Sequence, residues 1–160
     1  GLDVGAATIA YAIEARDRLH VPPDQIEFAV GSVYRIPQQD AQFDFAVQNG
    51  VFHHVDDEDA AIAELRRVLK PSGHLIISFI NRNSTLGRLY ESREKTSAFY
   101  RDAHFYSVED VARWVQEAGF GSRWFCETLF GDAEQLELSD IEVRDGYGNG
   151  AFVVLDAQKT

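Results

Sequence analysis

Phe43-Asp44-Phe45-Ala46-Val47-Gln48-Asn49-Gly50-Val51-Phe52-His53-His54-Val55, read with His74-Leu75-Ile76-Ile77-Ser78-Phe79-Ile80, decides the architecture. Phe43 to Gln48 is a short apolar strand, and Asn49-Gly50 form its exit. Asp56, Asp57, Glu58 and Asp59 then load negative charge onto a helix N-terminus, where the helix dipole favours it. Ala60, Ala61, Leu65, Val68 and Leu69 give that helix an apolar stripe. Lys70-Pro71-Ser72-Gly73 is expected to end it, with a basic last turn followed by Pro and Gly. His74 to Ile80 is an almost continuous apolar run, the pattern of a central parallel strand covered on both faces. Strand, helix and strand in this order make a βαβ unit.

The same alternation extends both ways. Gly1 to Val4 is a short apolar piece, and Ala6 to Leu19 carries Ile9, Ala10, Ile13 and Leu19 at helical spacing. Pro22-Pro23-Asp24 turns the chain into a strand over Ile26 to Val30, and Gly31 to Gln42 is a polar loop. On the other side, Asn81 to Tyr106 is polar and aromatic, with part of it expected to be helical. Ser107 with Asp110 opens a helix carrying Val108, Val111, Ala112, Trp114 and Val115, and Gly119 stops it. Arg123 to Leu129 and Ala151 to Asp156 are the last two strands; the acidic stretch Asp132 to Tyr147 between them has no helical pattern. They are expected to pair antiparallel, as a closing hairpin. Gly146-Tyr147-Gly148-Asn149-Gly150 precedes a strand instead of opening a helix, so it reads as a turn and not as a phosphate loop.

Size and composition narrow the function. A chain of 160 residues makes one domain with a sizeable core. The net charge of −11 repels phosphate backbones and anionic lipid, so nucleic acid and membrane surfaces are disfavoured partners and a small molecule is favoured. No apolar run is long enough to span a bilayer. The one cysteine, Cys126, cannot form an internal disulfide, and His/Cys clusters of metal-site type are absent; a cytoplasmic location and no metal are expected.

In an open α/β sheet, ligands sit beyond the carboxyl ends of the strands. The positions there are Asp3 and Val4, then Gly31, Ser32 and Val33, then Asn49 and Gly50 with His53 and His54 just beyond, then Asn81 and Arg82. Asp44 lies at a strand start and is expected to brace it.

The block from Phe43 to Val55, followed by Ala63-Glu64-Leu65 and Val68-Leu69-Lys70-Pro71-Ser72-Gly73-His74-Leu75-Ile76-Ile77, resembles the fourth strand, following helix and fifth strand of class I S-adenosylmethionine-dependent methyltransferases. It is most similar to the small-molecule branch that includes ubiquinone and menaquinone methyltransferases. Gly31-Ser32-Val33, Ile36-Pro37 and Asp40 to Asp44 resemble the segment before that block. The resemblance implies a Rossmann-like α/β sandwich, mostly parallel with an antiparallel last strand, forming a single domain over 1–160 with 81–106 as a substrate-covering insertion.

Gly1-Leu2-Asp3-Val4-Gly5-Ala6 looks superficially like the family's Gly-rich first loop. Ala6 and Ala7 stand where further glycines are needed, and Asp3 precedes the Gly31 loop by one strand-helix-strand unit, not two. Asp3 therefore matches the acidic residue ending the second strand. The first strand and its Gly-rich loop are expected to lie before Gly1, and these 160 residues alone are expected to hold the cofactor weakly.

By the same resemblance, Asp3 accepts hydrogen bonds from the ribose hydroxyls of S-adenosylmethionine, and Val4 packs on the adenine. Ser32 and Val33 follow the third strand, Ser32 standing where the family usually has Asp for the adenine amino group. Asn49 and Gly50 approach the cofactor. His53 matches a position facing the transferring methyl and is the candidate catalytic residue. Helix capping for Asp3, core packing for Val4, turn formation for Ser32 and for Asn49-Gly50, and a structural role for either histidine are the plainer alternatives. Tyr90, Phe99, Tyr100 and Phe105 are placed for an aromatic lid. Methyl transfer from a sulfonium is an in-line displacement that needs mainly proximity and alignment. Two other readings stay open: a non-catalytic or regulatory protein that retains the fold, and a nicotinamide-dependent dehydrogenase, which also carries an acidic residue after its second strand.

Overall fold

The computed structural model describes residues 1–93, 103–131 and 142–160, and these form two compact units, Gly1–Gln39 and Asp40–Thr160. In the first, β1 (Leu2–Asp3) pairs parallel with β2 (Ala29–Val30), and α1 (Ala6–Arg18) connects them. Arg16 and Arg18 close the last turn of α1, where cations suit the dipole, and the Arg16 guanidinium donates to the carbonyl of Ile26. The strand expected over Ile26 to Val30 is cut to its last two residues. Gly1 to Asp3 pair with it, through Ala29 N–H on Gly1 O and Gly31 N–H on Asp3 O.

The second unit holds a five-stranded sheet. Its strands are β3 (Phe43–Asn49), β4 (Leu69–Ile80), β5 (Phe120–Thr128), β6 (Arg144–Asp145) and β7 (Phe152–Lys159), in the order β3-β4-β7-β5-β6. β3 and β4 are parallel; β7 lies antiparallel to both β4 and β5, so β3, β4 and β5 run the same way. This is the expected α/β sandwich with an antiparallel last strand. The expected brace at the strand start is present too: Lys70 Nζ sits 2.9 Å from both carboxylate oxygens of Asp44.

Three helices belong to this unit: α2 (Glu58–Val68), α3 (Thr85–Arg93) and α4 (Val108–Glu117). Asp57 caps α2 by accepting the Ala60 amide, with Glu58 and Asp59 in the first turn. Ala61, Ile62, Leu65 and Val68 make its buried stripe. Ser107 and Asp110 form the capping box of α4 that the sequence announces, and Gly119, at φ +83°, ends the following turn. α2 and α4 pack on each other and on β4, β5 and β7, over Leu75, Ile77, Phe79, Val153, Leu155 and Ala157, all without solvent exposure. In the sheet register, one row across this face runs Gln48, Ile77, Leu155, Phe125; the next, on the other face, runs Val47, Ile76, Asp156, Trp124. Val47 and Trp124 are exposed, so one face is covered and the other is open among the described residues.

Three further boundaries differ from expectation. The turn foreseen at Lys70–Gly73 is a bulge inside β4: Leu69 and His74 both pair with β3, and Ser72 between them sits at φ +61°. β5 and β7 each reach three residues beyond one expected end, β5 back to Phe120 and β7 on to Lys159. Part of the acidic stretch, 132–141, lies outside the described residues.

Candidate functional site

In the Gly1–Gln39 unit, the ends of β1 and β2 are side by side. Asp3 is half-buried, and its Oδ1 accepts the Gly5 amide at 2.7 Å. Gly5 itself is the N-cap of α1 and makes no side-chain cap bond, so Asp3 is a turn acceptor and not the cap. Its Oδ2 has no partner among the described residues. Val4 is 74% exposed, which removes the core alternative for it. Ser32 accepts the Tyr34 amide on Oγ at 3.2 Å, and its carbonyl accepts Arg35 N–H at 3.0 Å, so this hydroxyl holds its turn. Val33 is half-buried in that turn.

In the Asp40–Thr160 unit, the carboxyl ends of β3 and β4 form a second group. Asn49 pairs with Ser78, and Ser78 Oγ donates to Asn49 Oδ1 at 2.5 Å. Gly50 donates its amide to the Ser78 carbonyl at 3.0 Å and leaves the sheet at φ +67°, a conformation suited to glycine. A single 3-10 turn, Phe52–His54, follows. Phe52 is fully buried, His53 is 7% exposed, and His54 is exposed.

His53 is tied at both ring nitrogens. Nε2 accepts the Ile80 amide at 3.1 Å, and Nδ1 lies 2.9 Å from the His104 carbonyl. The His104 amide returns a bond to the His53 carbonyl at 2.7 Å, and the Phe105 ring lies 4.8 Å from the imidazole, centroid to centroid. Burial holds the imidazole below its usual pKa; the His104 carbonyl opposes that, and His54 adds to it.

Beyond β4, Asn81 is buried, donates its amide to Ala151 O and accepts Asn83 N–H on Oδ1. The amide of Arg82 bonds Tyr106 O, and its guanidinium reaches Asp110 at 3.5 Å. Of the four lid aromatics, Tyr90 and Phe105 lie 6.2 Å apart, while Phe99 and Tyr100 fall outside the described residues.

Two polar residues at this end went unnoticed in the sequence reading. Ser78 is the one hydroxyl inside the apolar run of β4, and that isolation was the available signal. Glu127 is buried in β5 and accepts the Asn149 and Gly150 amides on Oε2, at 3.0 and 2.7 Å, which folds the glycine turn before β7. A lone carboxylate in a strand pattern was its signal. Among the described residues no group of acidic, His and Cys side chains is arranged to hold a metal ion.

Residues 1–77 match a family described as a methyltransferase domain. A crystal structure from Thermotoga maritima, described as a SAM-dependent methyltransferase and possible histamine N-methyltransferase, superposes on the whole chain with TM-score 0.82 and 31% identity, and 82% of it is covered. The chain belongs to the S-adenosylmethionine-dependent methyltransferase family. Family membership sets aside the nicotinamide-dependent reading and makes S-adenosylmethionine the cofactor of the fold. An uncharacterized protein of Methanocaldococcus jannaschii is 37% identical over 124 residues, 78% of this chain and 60% of that protein. A ubiquinone/menaquinone biosynthesis C-methyltransferase of Caulobacter sp. strain K31 is 32% identical over 106 residues, 60% of this chain and 42% of that enzyme. The chain thus spans about half the length of the curated relatives it matches.

The donor set suits such a cofactor. Asp3 offers, at a strand end, a carboxylate oxygen with no bond among the described residues, able to accept a hydrogen bond from a hydroxyl. Val4 offers exposed apolar surface next to it.

Proposed function

We propose that this protein transfers a methyl group from S-adenosylmethionine to a small-molecule acceptor, and that it works in the cytoplasm. The observation that carries the reading is the Asp3 carboxylate, fixed through Oδ1 by the Gly5 amide with Oδ2 left over. An acceptor atom held in place by its own backbone binds a hydroxyl with little ordering cost. In the first unit, Asp3 takes the ribose hydroxyls, Val4 covers the adenine face, and Ser32 and Val33 line the adenine edge. Ser32 Oγ already accepts one amide and keeps a second acceptor site. Asn49 and Gly50, at the end of β3 in the second unit, are the cofactor candidates that the family resemblance adds to this set. Bound there, the cofactor supplies a methyl group on a positively charged sulfur. The chain supplies alignment, exclusion of water and a net charge of −11 that favours a cationic ligand. An amine is the first acceptor class to assay, because the Thermotoga maritima relative is described as a possible histamine N-methyltransferase.

Calorimetric titration with S-adenosylmethionine and S-adenosylhomocysteine, with Asp3→Ala alongside, tests the assignment. Loss of charge-assisted bonds worth about 1.5–3 kcal/mol weakens binding roughly 10- to 100-fold. Equal affinity in the full-length variant removes Asp3 from the site, and no binding by the folded full-length protein favours a non-catalytic role for the fold.

A further inference from the structure

We propose that His53 is a positioning residue: its neutral imidazole finishes the β3–β4 ladder at Ile80 and pins residues 103–106 there, without exchanging a proton with the acceptor. The inference rests on the reading above only in taking methyl transfer to an acceptor as the reaction.

The argument starts from the backbone. β3 leaves the sheet at Gly50, so the next amide on that edge of β4, Ile80 N–H, has no strand partner, and His53 Nε2 takes it. An amide nitrogen only donates, so Nε2 must carry a lone pair and the ring proton must sit on Nδ1. There it meets the His104 carbonyl, which only accepts. Two backbone groups from different segments thus dictate one tautomer. The returning bond from His104 N–H to His53 O and the Phe105 ring on the imidazole make the attachment four-fold. The pinned segment also carries the Asn81–Tyr106 bridge and the Arg82–Tyr106 bond, so it leaves and re-enters the sheet at one place.

A base at His53 needs a free lone pair, and the only one is committed to Ile80. A second proton on the ring places N–H against N–H, and the link to β4 opens. The groups around it work in the same direction. His54 follows in the chain, and its charge disfavours a second cation. On the facing segment, His104 lies 3.9 Å from Asp56, and the Tyr106 hydroxyl bonds Glu58, so those carboxylates already have partners. From the β4 side, Arg82 is turned to Asp110. Burial adds its own pressure toward the neutral ring.

Nitrogen-15 spectra of the His53 ring, with amide hydrogen exchange between pH 5 and 8 corrected for intrinsic rates, test this in the intact protein. The expected result is a neutral ring protonated on Nδ1 that titrates below the usual histidine range, with Ile80 and His104 amides losing protection together as it charges. Two variants separate the roles. His53→Asn keeps an N–H near the His104 carbonyl and is expected to keep His104 protected across the range. His53→Phe is expected to speed His104 exchange at least tenfold at every pH, while Val153 in β7 stays protected and shows that the sheet is intact. A ring protonated on Nε2 overturns the proposal, as does an ordinary titration to which both amides are indifferent, or an Asn variant that loses as much protection as Phe. None of these readouts involves cofactor, so a failed methyl-transfer reading is seen separately, in the calorimetry.

Discussion

Gly50 shows what one residue decides. A Cβ built on it meets nothing within 4 Å, so space does not require glycine there; the φ of +67° does. Gly50→Ala is therefore expected to cost about 1–2 kcal/mol in urea unfolding, and Gly50→Asn noticeably less, because Asn tolerates this region. If Asn restores stability and still weakens S-adenosylhomocysteine binding, the position serves the ligand as well as the turn. At this scale the sequence was informative wherever a residue's task is local. Asp3 and Gly50 were legible from strand ends alone, and Asp44 from its place at a strand start. The partners of His53 were not, since Ile80 and His104 lie 27 and 51 positions away and offer backbone atoms, which every residue has.

Among the elements, β3 carries a conflict. Gln48 sits on the covered face beside Ile77, 5% exposed, and both its amide atoms lack a hydrogen-bond partner among the described residues. An orphaned buried polar group costs about 1–3 kcal/mol. Gln48→Met, close in volume, is expected to raise stability by roughly 1–2 kcal/mol, read as a higher urea midpoint at unchanged slope. A fall instead of a rise means that ordered water satisfies the amide. α4 supplies an acid-sensitive element. The Ser107 hydroxyl, first, then the Ser107 amide, Arg82 and Arg113 hold the Asp110 carboxyl below its ordinary pKa, against the opposing effect of burial. A depressed carboxylate contributes stability above its unfolded value, near 4, and loses it as pH falls through the folded one. Asp110→Asn is expected to flatten that acid limb in thermal melts taken from pH 5 down to 2. The α4 cap was legible because Ser-x-x-Asp is a short-range signal. The bulge at Lys70–Gly73 was not, because a left-handed Ser72 determines it.

Taken whole, the molecule divides its core unevenly. Among residues Gly1–Gln39 only Ile9, 7% exposed, counts as a core side chain, whereas Asp40–Thr160 holds all the other apolar core side chains of the described residues. A piece of about 40 residues seldom supports itself by burial alone. Hydrogen exchange by mass spectrometry is expected to show peptides from 1–39 exchanging at least tenfold faster than those of β4 and β7; equal protection refutes this. The alternation of strands and helices made the fold class readable over its full length, since each βαβ unit declares itself within about thirty residues. The division into two units was not readable, because it depends on how few long-range contacts a segment makes, and no local pattern records that.

The open face of β3 in the large sheet bears on how these 160 residues behave at high concentration. Among the described residues β3 ends the strand order, and Phe43, Phe45 and Val47, alternating onto one face of it, are 37, 61 and 67% exposed. An exposed apolar strip is sticky by nature, and here mutual repulsion between chains of charge −11 is the countervailing force. That force has a range of about 10 Å at 0.1 M salt and shrinks to about 3 Å at 1 M. Colloidal stability is thus borrowed from dilute electrolyte, and salting such a preparation trades one surface force for the other.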